Sequence, residues 1–122
     1  MFINLTPHVI RIKGVVLTTQ EEHVTEVQPS GDVAICLQVM GDTQAHRLGQ
    51  FEYAISSRTL GKVTLSNGQP FPAPELGKVF IVSSMVQDAM PRADVLAPDT
   101  GPTAIRDEKG NVWAVTRLIG PK

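Results

Sequence analysis

Two short polar stretches carry residue types that can bind phosphate and hydroxyl groups. Ser83 and Ser84 follow the apolar run 79–82 and precede a helical pattern. A helix N-terminus offers free N–H groups and a partial positive charge, which suit a phosphate or a carboxylate. Asp99 and Thr100 follow the next apolar run, inside APDTGP, and an aspartate there can accept a hydrogen bond from a ribose hydroxyl. Two serines before a helix are more often only helix caps, and the glycine spacing of a Walker loop or a dinucleotide fingerprint is missing.

Two arginines flank these stretches and complete the candidate ligand-binding set. Arg92 precedes the run 93–97, and Arg106 follows APDTGP. A guanidinium group binds phosphate with two parallel hydrogen bonds, so either arginine is a candidate phosphate clamp. The alternative for each is an exposed side chain, or an ion pair with Asp94 or Asp107.

Whether these residues meet depends on how two predicted strands pair. The order is strand 79–82, a short helix ending before Pro91, and strand 92–97, as in α/β ligand-binding units. If the strands are parallel neighbours, the two polar stretches share the carboxyl edge of the sheet, where such sheets bind ligands. If they are not, APDTGP is only a turn.

The remaining reactive residues do not form a recognisable catalytic or metal-binding pattern. His8, His23 and His46 lie in three separate segments without metal-ligand spacing. The single cysteine, Cys36, allows no intramolecular disulfide and sits in an apolar run typical of core. There is no G-x-S-x-G elbow and no obvious carboxylate pair. We therefore predict no catalytic residue, no metal and no cofactor, and assign His8 either a structural role or a place in the ligand site.

Composition restricts the class of partner. The 122 residues suit one domain spanning 1–122, with 42% hydrophobic and 19% charged residues. With 11 basic and 12 acidic residues, the net charge of -1 lacks the positive field of a DNA- or RNA-binding protein. No apolar run approaches the roughly 18 residues of a membrane helix, and the N-terminus lacks a signal-peptide pattern. The expectation is a cytoplasmic protein without nucleic-acid or membrane partners.

Alternating apolar residues and turn signals predict mostly strands. The first strand covers 2–13 with a kink at Pro7, and Gly14 is expected to turn the chain into a second strand. The nearly continuous apolar run 33–40 predicts a central strand. Residues 41–50 are expected to form a loop, followed by short strands at 51–55 and 62–65. Three prolines within 69–74 predict an extended connector.

The C-terminal part predicts a β-hairpin. Residues 103–106 and 111–118 flank a polar turn in which Gly110 suits a left-handed conformation. Together the elements predict an α+β fold: a compact domain on a twisted mixed β-sheet, with one short helix and a C-terminal hairpin.

Several motifs taken together resemble a protein family. INLTPHVI, PSGDVA, FIVSSMV, RADVLAPDTGP and IRDEKGNVWAVTRL resemble a group of small, mostly uncharacterised bacteriophage and prophage proteins. Those proteins open with an NLTPH-like strand and close with an RDxxG hairpin. The resemblance excludes residues 41–74 and implies a phage origin without implying an activity.

By analogy, the chain is similar to phage proteins that act as sponges for nucleotide signals of bacterial immunity. The similarity lies in size, in the absence of a catalytic pattern and in a phosphate-binding edge. It implies a homo-oligomer that sequesters a cyclic ADP-ribose-type or cyclic oligonucleotide messenger, uncleaved, in the host cytoplasm. Two alternatives stay open: a small phage structural or assembly protein, and an enzyme acting on a nucleotide or phosphoester.

Overall fold

The computed structural model describes all 122 residues and consists mostly of strands with one short helix. The elements are β1 (Phe2–Asn4), β2 (Ile10–Val16), β3 (Glu21–Val27), β4 (Ala34–Leu48), β5 (Phe51–Leu65), β6 (Val79–Ile81), α1 (Ser84–Ala89), β7 (Val95–Pro98), β8 (Ile105–Arg106), β9 (Val112–Ala114) and β10 (Leu118–Ile119). They form one four-stranded sheet and three two-stranded sheets. The broad prediction of an α+β chain dominated by strands and mixed pairing is confirmed.

The four-stranded sheet has the order β1-β6-β7-β10 and mixes both kinds of pairing. β6 pairs in parallel with β1 and with β7, and β7 pairs antiparallel with β10. Of the two alternatives that the sequence leaves open, the strands around the helix adopt the parallel pairing. β6 is central because its segment is apolar on both faces, and Phe80, Ile81 and Val82 are at most 2% exposed.

The core lies between this sheet, α1 and the base of the β4–β5 pair. Its buried members are Leu5, Ala34, Val63, Leu65, Phe80, Val82, Val86 and Val95. The helix contributes Val86, and Phe71 from the proline-rich connector packs edge-on against Phe80 at 5.4 Å between ring centroids. Apolar residues distant in sequence thus share one cluster.

The short helix α1 forms where the sequence predicts it. Ser83 is the N-cap, and its hydroxyl accepts a hydrogen bond from the Val86 amide at 3.4 Å. Met90 ends the helix directly before Pro91, since a proline disfavours α geometry in the preceding residue.

The first two strands differ from the expectation. β1 and β2 belong to different sheets and are separated by a bend at residues 6–8. Gly14 does not turn the chain: it lies within β2, opposite His23 of β3. The reversal occurs at residues 17–20, where Gln20 has φ 58°.

The predicted loop over 41–50 is wrong, and the predicted strand over 33–40 is present but is not central, because it belongs to a two-stranded sheet. β4 and β5 are 15 residues each and pair from Ala34↔Leu65 to Leu48↔Phe51. A tight turn at Gly49, with φ 62°, joins them. Only the base of this pair contributes to the core, and the two-stranded remainder is exposed. We call residues 35–63 the β-arm.

The predicted C-terminal hairpin is rearranged. β8 and β9 pair antiparallel with a register shift, and Gly110 has φ 83°. The second predicted strand, 111–118, is divided, because β10 leaves β9 to pair with β7. Val115 instead bonds to the backbone of β2, donating to Arg11 O at 2.8 Å and accepting from Lys13 N at 2.9 Å.

Candidate functional site

Parallel pairing gathers three polar segments at one edge of the four-stranded sheet. The carboxyl ends of β1, β6 and β7 lead into residues 5–8, into Ser83 and Ser84, and into Asp99 and Thr100. Arg117, immediately before the antiparallel β10, joins them there because Leu118 pairs with Pro98. The serines and the loop after β7 therefore lie at the same edge of the sheet, but neither serine lines the cleft that opens beside this loop.

The NLTPH bend is a closed hydrogen-bond network centred on Asn4. The Asn4 side chain, 1% exposed, donates to His8 O at 2.7 Å and to Val27 O at 3.0 Å. Its Oδ1 accepts from the Thr6 amide at 2.9 Å and from the Thr6 hydroxyl at 2.7 Å. Ser30 of the PSG turn donates its amide to Asn4 O at 2.9 Å. Two motifs that are distant in sequence therefore form one structural unit, and the exposed His8 side chain is left outside this network.

Asp99 holds the loop after β7 in place. It is 9% exposed, pairs with the guanidinium group of Arg117 and accepts a hydrogen bond from the Gly101 amide at 3.0 Å. The hydrogen bond from Arg117, supported by that amide, lowers the pKa of Asp99. Its carboxylate is engaged within the protein, and its neighbour Thr100 is the exposed polar group of the loop.

Arg92 lies at the amino end of β7, at the opposite end of the strand from Asp99 and Thr100. It binds both oxygens of Asp94 at 3.0 and 2.7 Å and donates to Pro72 O at 2.9 Å. Its guanidinium group also covers the Phe71 ring at 5.3 Å. The hydrogen bonds from Arg92 lower the pKa of Asp94. Arg92 therefore fastens the proline-rich connector to β7, and the structure does not bring it together with the serines.

Arg106 does lie beside the loop after β7. Its Nη1 donates to Gly110 O at 2.9 Å and its Nη2 donates to Thr100 O at 3.1 Å. The side chain is exposed, so the face of its guanidinium group away from these carbonyls stays open to solvent.

A cleft of about 210 Å³ opens at this same edge, between the NLTPH bend, the loop after β7 and β9. Its polar side chains are His8, Arg11 and Thr100, and Trp113 forms an aromatic wall that is 44% exposed. The guanidinium group of Arg11 lies 5.3 Å from the Trp113 ring centroid and is held by Glu26 at 3.1 Å. The other lining residues are Val9, Ile10, Pro98, Val112, Ala114 and Val115.

The chemistry of this cleft suits a flat aromatic ring bearing polar substituents. An exposed indole offers a stacking surface. The adjacent guanidinium group favours electron-rich rings and anions. His8 and Thr100 can each exchange a hydrogen bond with a ligand. Of these residues, the sequence indicates His8 and Thr100 as candidates for a binding site.

Arg11, which lines the cleft, and Arg117, which binds Asp99, were not predicted as site residues from the sequence. Arg11 reaches the cleft because β2 is hydrogen-bonded to Val115, more than a hundred residues later in the chain. A contact between residues so far apart in the chain cannot be recognised from a local sequence pattern. An alternating strand that places an arginine opposite a glutamate, as β2 and β3 do here, is the only local indication of an ordered arginine.

Comparison of the chain with protein-family models, with curated proteins and with solved structures finds no match. Its single helix is too short to cross a lipid bilayer, and no other helical segment could do so. No group of three or more His, Cys, Asp and Glu side chains is arranged to hold a metal ion. The geometry of the cleft is therefore the observation from which a function can be inferred.

Proposed function

We propose that this protein is a non-catalytic binding protein for a nucleotide-type ligand, and that the Trp113 cleft receives the aromatic base. The observation that carries the proposal is the position of the exposed Trp113 ring beside Arg11, His8 and Thr100. That cleft opens at the carboxyl edge of parallel strands, where α/β sheets commonly bind ligands. Aromatic stacking contributes about 1–3 kcal/mol per base to nucleic-acid binding.

The size of the cleft indicates which part of the ligand it would hold. Its volume of about 210 Å³ is below the range of roughly 300–1,000 Å³ typical of sites that enclose a whole small molecule. We expect the base to occupy the cleft and the phosphates to extend past Thr100 toward Arg106. In the homo-oligomer that we propose, a second subunit completes the site around the rest of the ligand.

Two features support a binding role over catalysis. The carboxylate of Asp99, nearest to the cleft among the candidates, is already occupied by Arg117 and Gly101. Ser83 is occupied as a helix cap. A general acid or base has to be free to exchange a proton with the substrate, and His8 is the one remaining candidate in the cleft.

More specifically, we propose that the ligand is a nucleotide messenger of bacterial anti-phage signalling and that the protein holds it uncleaved in the host cytoplasm. This proposal is supported by the analogy with phage sponge proteins, which the chain resembles in size and in the absence of a catalytic pattern. The resemblance of the NLTPH, PSG and RDxxG motifs to small phage proteins supports the phage origin alone.

A melting experiment tests the proposal. We would measure the melting temperature with cyclic nucleotides, cyclic ADP-ribose isomers, NAD and ADP-ribose, and then determine the mass of each recovered ligand. A ligand at a hundredfold excess over its Kd adds about 2.7 kcal/mol to the free energy of unfolding. We expect a raised melting temperature with one ligand class and recovery of that ligand unchanged.

Matched variants localise the effect to the cleft. Trp113→Ala should abolish the ligand-dependent shift, Trp113→Phe should retain most of it, and Leu17→Ala, which changes an exposed side chain outside the cleft, should retain all of it. A shift with altered ligand mass would establish an enzyme instead. No shift across the panel would favour the structural or assembly protein.

A further inference from the structure

Most of the large exposed apolar side chains of the β-arm share one face. Cross-strand partners share a face of a two-stranded sheet, and successive residues alternate between faces. The pairs Leu48↔Phe51, His46↔Tyr53 and Gln44↔Ile55 therefore lie on one side. Uninterrupted alternation along β5 places Thr59 on this side, and its partner Val39 extends the same face toward Leu37 and Ile35. We call this face the apolar stripe; its large side chains are Ile35, Leu37, Val39, Leu48, Phe51, Tyr53 and Ile55.

The side chains of the stripe are exposed, and three of their aromatic rings stack on one another. They are between 39% and 75% exposed. Tyr53 stacks with Phe51 at 6.0 Å and with His46 at 6.1 Å between ring centroids. Seven large side chains that are about half exposed leave on the order of several hundred Å² of apolar surface in water, at or above the ~300–600 Å² of the largest patch on a typical monomer.

The opposite face of the distal β-arm is polar and internally paired. Arg47 and Glu52 face each other at 3.8 Å, and the hydroxyls of Thr43 and Ser56 are 2.7 Å apart. Ala45 and Ala54 lie between these two pairs. The stripe is therefore one side of an amphipathic ribbon.

We propose that the apolar stripe is the interface with a second copy of this chain, packed stripe against stripe. A two-stranded sheet is only marginally stable when nothing covers it, and the β-arm is paired with no other strand. The exposed area of the stripe is of the same order as the roughly 800 Å² that each partner contributes to a standard interface. This inference is independent of the proposed ligand.

Charge does not oppose an identical copy as the occupant. The β-arm carries two acidic residues, Asp42 and Glu52, and three basic ones, Arg47, Arg58 and Lys62. Its net charge is therefore +1, so two arms repel each other only weakly. Arg47, Glu52 and Arg58 lie on the polar face, so a stripe-to-stripe contact buries none of their charges.

Neighbouring positions on the two faces provide the test. Tyr53→Glu places a charge on the stripe, and Ala54→Glu places the same charge one residue away on the polar face. We would measure the mass in solution by analytical ultracentrifugation from about 1 to 100 μM, since standard-size interfaces range from micromolar to picomolar affinity, and verify folding by circular dichroism. The expected result is a dimer or a larger even assembly for the parent and for Ala54→Glu. For Tyr53→Glu we expect dissociation, with Kd raised at least about a hundredfold, because an unpaired charge would be buried.

A second measurement keeps the proposal falsifiable if Tyr53→Glu disturbs the β-arm itself. In a Cys36→Ala background, Ile55→Cys on the stripe should form a disulfide-linked dimer on mild oxidation, and Ser56→Cys on the polar face should not. A monomeric parent at 100 μM would overturn the proposal. So would equal dissociation of both glutamate variants, or equal cross-linking of both cysteine variants.

Discussion

Asn4 illustrates how a residue in a sequence motif can serve the fold. Its buried side chain makes four hydrogen bonds to the segments on either side of the NLTPH bend and to Val27. His8, in the same motif, has an exposed side chain that lines the cleft. The motif thus contains a structural residue and a candidate ligand-binding residue only four positions apart.

Replacement of Asn4 by leucine should destabilise the protein strongly. The change removes the bonds from Asn4 to the Val27 carbonyl and the Thr6 amide, and each unsatisfied buried group costs about 1–3 kcal/mol. The His8 carbonyl loses one of its two partners and keeps the Thr6 hydroxyl at 3.1 Å. We expect a loss of about 3–5 kcal/mol in the free energy of unfolding, measured by urea denaturation. Asn67→Ala, which removes one exposed hydrogen bond to the Gln69 amide, is the control and should cost less than about 1 kcal/mol. Equal losses for the two variants would contradict the role assigned to Asn4.

The Asp99–Arg117 pair should make stability depend on pH in the acid range. Because hydrogen bonds from Arg117 and Gly101 lower the pKa of Asp99 below its ordinary value of 3.8, its ionised form stabilises the native state. This contribution is complete above the ordinary pKa and is lost as the pH falls through the lowered one. The free-energy difference between the parent and Asp99→Asn should therefore shrink on acidification below about pH 5.

Thermal melts from pH 7 down to pH 2.5 would measure this dependence. Asp42→Asn, on the β-arm and outside every ion pair of the structure, serves as the control and should show no comparable change. A difference between the parent and Asp99→Asn that stays constant across this range would refute the stabilising ion pair.

Among the strands, β6 lies in the interior of the four-stranded sheet, and two of its three residues are buried. It is paired on both sides, and Ile81 at its end is 0% exposed. Val79, at its start, is half-buried. The sequence predicts this strand correctly because a short apolar run bounded by turn residues is typical of a buried strand.

The loss in free energy of unfolding caused by alanine substitution should increase from the start of β6 to its end. Ile81→Ala should cost about 2–5 kcal/mol, the range for large-to-alanine changes in close-packed cores. Val79→Ala should cost clearly less, because part of its side chain is already in water. Chemical denaturation of both variants measures the difference. A Val79→Ala loss equal to or greater than that of Ile81→Ala would contradict the position of β6 in the core.

At the scale of the whole molecule, the chain divides into a packed body and a projecting β-arm. The body holds the core cluster and the cleft, whereas most residues of the β-arm are exposed. Amides are protected from hydrogen exchange according to the free energy of the opening that exposes them. The two parts should therefore respond differently to assembly.

Hydrogen exchange followed by mass spectrometry should reveal that difference. If the apolar stripe pairs with a second copy, peptides from residues 37–60 should exchange faster on dilution below the dimer Kd. Peptides covering β6 and β7 should keep their protection, because their burial is within one chain. Concentration-independent exchange of the β-arm, in a range where the mass changes, would place the contact elsewhere.

The sequence by itself determined the elements whose patterns are local. The buried strand at 79–82, the serine-capped helix and its end before Pro91 all follow from residues within one or two turns of chain. The broad class, mostly strands with one helix, follows for the same reason. Candidate ligand residues such as His8 and Thr100 could be identified by type, since hydrogen-bonding side chains near strand ends are visible in the sequence.

Only the tertiary structure determined which candidate ligand residues lie together and which are already bound to other groups of the protein. Arg92 and Asp99 have the residue types of a ligand site, but bonds to Asp94 and to Arg117 occupy their polar groups. Arg11 enters the cleft through pairing with Val115, across a large sequence separation. The segment 41–50 reads as a loop because polar residues dominate it, yet pairing with residues 51–58 makes it a strand. Strand pairing and side-chain partners depend on long-range contacts, and these exist only once the whole chain has folded.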